Sequence, residues 1–280
     1  MNGAVWFGLM SALVWGAGDF CGGLATRRAR PLSVVLIAEV SGAVLLLLAA
    51  LAWRQPLPDL PTLGWSAGAG LAGAMGLVAL YTALGRGHMG VVAPVSAVIA
   101  ALVPIVASAI LEGPPAPTQF MGFAVALAAV WLLSSAGERS GERTGSAGEL
   151  RLALLAGLGF GFYFVLIDRA DPVSGFWNLT FARSFAFVVL AALMLSIRHP
   201  LLPPRAVLPL NLLNGTLDAG GNLFFVLAAQ SGRLDVASVL ASLYPGTTVL
   251  LAWLVLGERL NRPQTFGVAA ALLAIILIVL

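Results

Sequence analysis

The chain has little charge for its length. Only 10% of its 280 residues are charged, whereas 60% are hydrophobic. Soluble domains carry about 25% charged residues, so this chain lacks the polar surface that a water-soluble globule of its size needs. The mean hydropathy of +0.98 agrees with that conclusion. The composition therefore predicts an integral membrane protein.

Residue types that carry soluble-enzyme chemistry are scarce or missing. All fifteen basic residues are arginine, and the lack of lysine excludes a P-loop, a pyridoxal-phosphate Schiff base and a lysine nucleophile. Cys21 is the single cysteine, so neither an internal disulfide nor a cysteine metal cluster can form. His88 and His199 fall in predicted loops without a partner at metal-ligand spacing. We expect no catalytic residue, no metal and no cofactor, and we predict that the chain is not an enzyme.

The arginines form no basic stripe. The net charge is +3, but the arginines are spread thinly over the loops. Nucleic-acid-binding proteins instead concentrate basic residues on one face or along one helix. We therefore exclude nucleic acid as a partner.

Long apolar runs follow one another with short polar breaks. A helix needs about 20 mostly apolar residues to cross the hydrocarbon core, which is about 30 Å thick. The chain shows no alternating ten-residue strand pattern of the kind that a membrane barrel requires. The pattern predicts an all-α integral membrane protein. Its ten transmembrane helices are expected at 4–25, 32–53, 63–84, 90–111, 117–136, 151–168, 174–197, 206–230, 234–256 and 263–280.

The two halves of the chain repeat at an offset of 145 to 146 residues; Glu112, for example, aligns with Glu258. A charged, Gly/Ser-rich stretch lies between them. We therefore expect a first five-helix repeat at 1–137, a polar linker at 138–150 and a second five-helix repeat at 151–280. Because five is odd, the second repeat must enter the membrane in the opposite sense. Such inverted repeats are typical of secondary transporters.

A family signature closes the second repeat. It reads P…LGERL…Q..G, it is joined by a WG pair early in the first span, and LEGPPAPTQFMG is a degraded copy in the first repeat. The residues concerned are Trp15, Gly16, Pro245, Gly257, Glu258, Arg259, Leu260, Gln264 and Gly267. Over its whole length the chain resembles the EamA-type members of the drug/metabolite transporter (DMT) superfamily. The resemblance implies a central cavity lined by helices one to four and six to nine, and export or exchange of a small metabolite, often an amino acid.

The orientation in the membrane is open. The loops that follow odd-numbered spans hold eleven arginines and the other loops hold three. The positive-inside rule then places both termini outside the cell. The resemblance instead implies termini in the cytoplasm.

Four ionisable residues lie well inside predicted spans, namely Asp19, Glu39, Arg183 and Asp218. Charges at such depth cost at least about 2.5–3.5 kcal/mol each on insertion scales, and they normally face a cavity or one another. From the rise of a helix, Asp19 and Glu39 should both lie roughly 10 Å from the same membrane face. A proton shared between these two carboxylates is one hypothesis, and it would couple transport to protons.

The alternative hypothesis is structural. Asp19 could pair with Arg27 or Arg28 around the end of the first span. Glu39 could pair with Arg183, because the two residues occupy near-equivalent places in the two repeats. A third possibility gives Arg183 a role in binding an anionic or zwitterionic solute, since its planar fork suits a carboxylate or phosphate.

Other residues of the spans suggest a cavity lining. Asn214, Asp218 and Asn222 recur every four residues and so share one helix face, which either lines a cavity or forms hydrogen bonds to a neighbouring helix. The aromatic residues Trp15, Tyr81 and Tyr163 fall near mid-depth, where they either line a pocket or pack in the core.

Three prolines interrupt predicted spans. Pro94 and Pro104 lie in span four and Pro245 in span nine. Proline removes a helical hydrogen bond and clashes with the preceding turn, so these helices should kink. The kinks would serve either gating or packing.

Taken together, these features predict a secondary transporter that moves a small metabolite, amino-acid-like or another small organic solute, by alternating access. Rocking of the two five-helix halves would supply the motion, and proton-coupled export is one form of it. The expected partners are the solute, the lipid bilayer and protons, and the chain is expected as a monomer or homodimer. The expected location is the plasma (inner) membrane of a prokaryote. A non-transporting membrane subunit or receptor is the alternative.

Overall fold

The computed structural model describes residues 2–84, 89–134, 147–256 and 262–279. These residues form eleven α-helices and two short 3₁₀ turns, and contain no β-strand. The helices are α1 (Asn2–Thr26), α2 (Pro31–Ala52), α3 (Leu60–Leu84), α4 (Met89–Leu111), α5 (Pro117–Ser134), α6 (Ala147–Asp168), α7 (Gly175–Ser196), α8 (Leu208–Gln230), α9 (Leu234–Ala241), α10 (Tyr244–Leu256) and α11 (Arg262–Val279).

The helices have the length and composition of membrane spans. Within the described ranges, seven stretches are long and apolar enough to cross a bilayer, and three shorter apolar helices accompany them. The breaks carry the expected turn chemistry. For example, Pro31 opens α2 behind an extended Arg30, and Asp171 caps the short turn Pro172–Ser174 through a hydrogen bond from the Val173 amide. The chain is a multi-pass membrane protein.

The ninth predicted span differs from the expectation of one continuous helix. It consists of α9 and α10, which are separated at Ser242 and Leu243. Pro245 in the first turn of α10 cannot donate a hydrogen bond to the preceding turn, which is the physical reason for the break. By contrast, α4 continues through the positions of Pro94 and Pro104. The gating role of all three prolines stays a prediction.

Some predicted features fall outside the described residues. His88 and the LGERL residues Gly257–Leu260 are among them, as are residues 138–146 of the expected linker. The linker was expected to end at residue 150, but α6 already begins at Ala147. The division of the chain into 1–137, 138–150 and 151–280 stays a prediction.

The two sequence halves interleave rather than forming separate bodies. The most extensive packing of α1 is on α8, and that of α3 is on α6. Likewise α2 packs on α7, and α5 packs on α11. Each of these pairs joins one helix of the first half to one helix of the second. The two halves therefore cannot rock as rigid bodies without breaking the largest helix interfaces.

The packing follows the repeat. At the offset of 145 residues, α1 corresponds to α6 and α3 to α8, so the α1–α8 contact is the counterpart of the α6–α3 contact. Two glycines show the same relation at atomic detail. Gly70 lets α3 touch the Ala182 carbonyl of α7, and Gly215, which is 145 residues later, lets α8 touch the Ala38 carbonyl of α2. A side chain at either glycine would collide with that backbone.

This arrangement defines two packing groups. The first packing group consists of α1, α8, α9 and α10, because α1 contacts the other three. The second packing group consists of α3, α4 and α6, because α6 contacts the other two. The two groups are counterparts under the repeat. Helices α2 and α7 pack against each other and bridge the groups, α2 through α8 and α7 through α3.

Candidate functional site

A cavity lies between the two packing groups, with α2 and α7 as part of its wall. The space that the centre of a water molecule can occupy in it is about 60 Å³. One ordered water needs about 10–15 Å³ by the same measure, so the cavity has room for a few waters. The polar and aromatic residues that line it are Trp15, Asp19, Glu39, Phe160, Tyr163, Phe164, Arg183, Asp218, Asn222 and Tyr244.

Arg183 on α7 holds two of the three acids of this cavity. Its Nη1 donates to Oε2 of Glu39 at 3.4 Å, and its Nη2 donates to Oδ2 of Asp218 in a short contact. Nη1 also lies 3.5 Å from the Ala38 carbonyl. Arg183 and Glu39 are only 4% exposed. The Glu39–Arg183 pair suggested by the repeat is therefore present, and Asp218 extends it to a three-residue cluster.

A glycine on α2 makes room for this cluster. A Cβ at Gly42 would lie 2.7 Å from Nη1 of Arg183, so a larger residue would displace the guanidinium. The arginine Nε is buried and has no hydrogen-bond partner in the described structure. Glycine thus provides the space that lets an arginine be buried between two helices.

Asp19 has a different partner from those considered in the sequence. The Tyr81 hydroxyl lies 3.4 Å from Oδ1 of Asp19 and 3.2 Å from Oδ1 of Asn214, and it can donate its one proton to either. Gly22 makes space for the tyrosine ring, because a Cβ there would overlap the hydroxyl. Tyr81 is fully buried behind Asp19 and does not line the cavity.

The structure shows neither of the pairings that the sequence suggested for Asp19. Among the described ion pairs, none joins Asp19 to Arg27 or Arg28. Its described hydrogen bond is to Tyr81, and none joins it to Glu39, although both carboxylates line the same cavity. The physical reason is that the two acids find partners on different helices. Arg183 on α7 pairs with Glu39, and Tyr81 on α3 hydrogen-bonds to Asp19.

Trp15 and Asn222 form one wall of the cavity. The indole stacks on Phe164 and Phe225, with ring centroids 5.6 Å and 5.8 Å away. Its Nε1 donates to Oδ1 of Asn222 at 2.9 Å and lies 3.2 Å from the Asp218 carbonyl. Gly221 on α8 accommodates the indole, which would collide with any Cβ there. Stacking and two polar contacts therefore hold Trp15 in the space that Gly221 leaves for it.

The part of the wall that α6 contributes is aromatic. Phe160, Tyr163 and Phe164 of α6 line it, and Tyr163 meets Phe164 edge to face at 5.9 Å. Tyr163 is 6% exposed, and its hydroxyl has no hydrogen-bond partner in the described structure. A buried hydroxyl without a partner is costly unless a water or a ligand satisfies it. This hydroxyl is consequently available to a bound molecule.

Most of the predicted site residues come together, but not all. Trp15, Asp19, Glu39, Tyr163, Arg183, Asp218 and Asn222 line one cavity. Tyr81 lies one layer behind, and Pro104 and Pro245 are not among the lining residues. Asn214, the first member of the polar stripe, contacts Tyr81 rather than the cavity. We also find no group of three histidine, cysteine or acidic residues in the described ranges that could hold a metal ion.

Asp235 is a buried acid outside the cavity that the sequence analysis did not single out. It is fully buried at the start of α9, where its carboxylate accepts from Nη2 of Arg233 at 2.9 Å and from the Val236 amide at 2.7 Å. Arg233 also donates to the Gly113 carbonyl at 2.9 Å, which joins the loop before α9 to the loop before α5. The hydrogen bond to Asp235 raises the pKa of Arg233, so the guanidinium of Arg233 stays charged at physiological pH.

A second pair of loops is joined on the same face of the bundle. The side chain of Gln55 accepts from the Phe176 amide at 2.8 Å, and its carbonyl accepts from the Trp177 indole at 3.1 Å. Nearby, Asp59 accepts from the Thr62 amide at 3.0 Å, and its hydrogen bonds to Thr62 lower the pKa of this exposed carboxyl. These contacts anchor loops and lie outside the cavity.

The fold and the cavity define a class, that of multi-pass helical membrane proteins built from two interleaved repeats around a buried charged cavity. The profile of the EamA-like transporter family matches residues 2–135 and 149–280. The chain belongs to the EamA-like transporter family. This confirms the resemblance noted in the sequence, and it makes the chain a membrane transporter of the drug/metabolite transporter type, whose partners are a small-molecule solute and the bilayer.

Solved structures support the fold. One of them, described only as "Crystal structure of protein", superposes with a TM-score of 0.76 at 18% sequence identity, over 99% of this chain and 96% of that chain. At this identity the similarity establishes the fold alone. No curated protein sequence matches the chain.

Proposed function

We propose that this protein is a secondary transporter that carries a small organic solute through the cavity by alternating access. The supporting observation is the position of that cavity, which lies between two packing groups that are counterparts under the repeat. In such folds a site at the repeat interface is exposed first to one side and then to the other. We take the fold to be ten membrane crossings in two inverted repeats, with α9 and α10 together forming the ninth.

The moving units in this proposal are the two packing groups, not the two sequence halves. Contacts between the groups are few compared with those inside them. On the side of the loops after α1 and α3, Tyr81 of α3 meets Asp19 and Gly22 of α1 and Asn214 of α8, a contact that we name the polar closure. This closure separates the cavity from the arginine-rich loops.

The counterpart of the polar closure lies on the other side of the cavity. At the offset of 145 residues, Asp19, Gly22, Asn214 and Tyr81 correspond to Phe164, Ile167, Ala69 and Val226. These four residues belong to one buried apolar cluster between α3, α6 and α8, which we name the apolar closure. Opening one closure while the other stays shut gives alternating access with little change inside either group.

Proton coupling is supported by the charge of the cavity. Asp19, Glu39 and Asp218 provide three carboxylates, whereas Arg183 is the one cation among the lining residues. Charges at this depth are costly without a partner, so the excess carboxylates require protons or a cationic solute. Exchange of one for the other would couple solute movement to a pH gradient. We infer that the protein resides in the plasma (inner) membrane of a prokaryote, as a monomer or homodimer.

The test is solute flux in proteoliposomes with and without an imposed pH gradient, over a panel of amino acids and other small metabolites. We expect flux of at least one solute, accelerated by the gradient and reduced at least about tenfold in Asp218→Asn and Asp19→Asn. The matched control is Asp59→Asn, the same chemical change in an exposed loop, which should leave flux unchanged.

Other outcomes would contradict parts of the proposal. Flux that does not change with the gradient or in the cavity variants would indicate a facilitator without proton coupling. A complete lack of flux in protein that remains folded would favour the alternative of a non-transporting subunit or receptor.

A further inference from the structure

The two walls of the cavity differ in chemistry. Asp19 and Asp218 come from α1 and α8 of the first packing group, whereas Phe160, Tyr163 and Phe164 come from α6 of the second. At the offset of 145 residues, Asp19 corresponds to Phe164 and Asp218 corresponds to Gly73. The charge at these two positions is therefore not repeated in the other half of the chain. Two of the cavity's acids therefore come from the first packing group, whereas the second packing group contributes no acid to the lining and three aromatic residues from α6.

The single cation of the lining is already engaged. Both terminal nitrogens of Arg183 donate to carboxylates, to Glu39 and to Asp218. Its remaining Nε is buried and has no hydrogen-bond partner in the described structure. A solute carboxylate or phosphate would add a further negative charge to a cavity in which one cation already faces three carboxylates, and an unbalanced charge at this depth is unfavourable.

The acids, in contrast, can accept further hydrogen bonds. Asp19 has one hydrogen bond, from Tyr81 at 3.4 Å, and Asp218 uses one oxygen for Arg183. The Tyr163 hydroxyl is buried, lines the cavity and has no partner in the described structure. A group that donates several hydrogen bonds and carries positive charge would satisfy all three side chains. An ammonium group does both.

The aromatic residues of the lining suit the rest of such a molecule. Trp15 and Phe160 line the cavity from corresponding positions of the two repeats, and Phe164 stacks on Trp15. Aromatic faces attract cations within about 6 Å and stack on flat rings. The cavity thus offers carboxylates for a cation and ring surfaces for an apolar body.

We propose that the cavity selects a protonated amine carried on a flat apolar body, with the ammonium group between Asp19 and Asp218 and the body against the aromatic wall. This inference rests on the proposed function and specifies its substrate class. Solutes that carry a carboxylate without an amine are excluded.

Protons compete with the amine for the same carboxylates. The titratable and charged groups facing Asp19 and Asp218 are Tyr81 from α3, Glu39 from α2, Arg183 from α7, Tyr163 from α6 and Tyr244 from α10. Arg183 offsets the charge of one of the three carboxylates, so two negative charges remain, and each proton that binds to them weakens the attraction for an amine. The amine should therefore bind more weakly as the pH falls, and it should leave when a proton enters.

The test uses four indole compounds that share one ring system and differ in charge. Tryptamine is the amine, tryptophan the zwitterion, indole-3-propionate the anion and tryptophol the neutral alcohol. Binding to the purified protein in detergent is measured by calorimetry, and flux is measured separately in proteoliposomes. We expect tryptamine to bind at least about thirtyfold more tightly than indole-3-propionate, with tryptophol and tryptophan between them.

Variants identify the carboxylates. Asp19→Asn should weaken tryptamine binding at least about thirtyfold while leaving tryptophol binding within about threefold, since only the charged compound loses its partner. Asp59→Asn is the matched surface control and should change neither. Glu39→Gln should have a smaller effect than Asp19→Asn, because Arg183 already satisfies Glu39.

The outcomes separate the two proposals. Preferred binding of the anion, or equal binding of all four compounds, would overturn the amine-selective site even if some solute is transported. Selective tryptamine binding without flux of any compound would support the site and contradict transport.

Discussion

The hydroxyl of Tyr81 lies within hydrogen-bond distance of Asp19 on α1 and Asn214 on α8, at 3.4 Å and 3.2 Å, while Tyr81 itself belongs to α3. One phenol thus joins the two packing groups at the polar closure. Its counterpart in the second repeat is Val226, which has no polar atom in its side chain. The closures on the two sides of the cavity are equivalent in backbone but differ in chemistry.

The first prediction concerns this phenol. Tyr81→Phe keeps the ring and removes the hydroxyl, so the fold should lose only about 1 kcal/mol of free energy of unfolding. Flux should fall about tenfold, because Asp19 loses its described hydrogen bond and the polar closure loses its link to α8. Proteoliposome flux and thermal unfolding in detergent measure the two effects.

A double-mutant cycle supplies the control for that variant. In the Asp19→Asn background, Tyr81→Phe should change flux much less than in the wild type, since residues that share a hydrogen bond are not additive. Additive effects of the two substitutions would show that Tyr81 acts independently of Asp19.

The second prediction concerns the balance of charge around Arg183. Arg183→Met leaves Glu39 and Asp218 buried without a cation, and breaking a buried pair in this way costs about 3–5 kcal/mol. The variant should express poorly or unfold at a clearly lower temperature. Arg183→Lys should recover only part of the loss, because one ammonium group lacks the planar fork with which the guanidinium reaches two acids.

A compensating substitution distinguishes charge from packing. Arg183→Met combined with Asp218→Asn removes one acid together with the cation, so its free energy of unfolding should recover toward the wild-type value. Thermal unfolding of the two purified variants is the measurement. If the double variant is as unstable as Arg183→Met, the packing of the arginine, rather than the balance of charge, dominates.

Much of the fold was predictable because membrane helices leave a strong signal. A run of about 20 apolar residues bounded by Pro, Gly or Arg has few other structures available to it in lipid. The predicted start and end of α2 are within one residue of its observed bounds, Pro31–Ala52. Pro245 predicted a kink in the ninth span, but apolar composition did not reveal that the kink divides the span into two helices, α9 and α10.

The candidate site was predictable only as a set of residues. Charges at depth identified Asp19, Glu39, Arg183 and Asp218, since each is costly there without a partner. The pairing of these residues depends on which helices are neighbours, and α1 has its main neighbour α8 in the other half of the chain. Sequence distance gives no indication of that relation, so the partner of Asp19 was missed.

The third prediction tests the correspondence of the two repeats. Gly70→Ala and Gly215→Ala should each destabilise the protein by similar amounts, because each Cβ would collide with a backbone carbonyl, of Ala182 or of Ala38. Gly64→Ala is the matched control on α3, because no atom lies within 4 Å of its Cβ position. We expect it to be neutral or stabilising by about 0.5–1 kcal/mol.

Thermal unfolding of the three variants decides between two views of these glycines. Equal losses in Gly70→Ala and Gly215→Ala, with none in Gly64→Ala, would support close helix contacts that are copied by the repeat. A loss in only one of the two would mean that the repeat has diverged at this contact.

The fourth prediction identifies the units that move. Ile167 on α6 and Val226 on α8 belong to the apolar closure, and their helices lie in different packing groups. Cysteines at these two positions, in a Cys21→Ala background, can be joined by a short bifunctional methanethiosulfonate, which forms a reducible disulfide with each thiol. If the groups separate during transport, the bridge should abolish flux and its reduction should restore it.

A bridge inside one packing group is the matched control. Gly18 on α1 and Leu217 on α8 belong to the first packing group, and a Cβ at Gly18 would lie 3.5 Å from that of Leu217, which is close to disulfide geometry. This bridge should leave flux nearly unchanged, although it joins the first sequence half to the second. Rocking of the two halves as rigid bodies requires the opposite result, because α1 and α8 would then have to slide past each other. The Gly18–Leu217 bridge therefore distinguishes the packing groups from the sequence halves as the moving units.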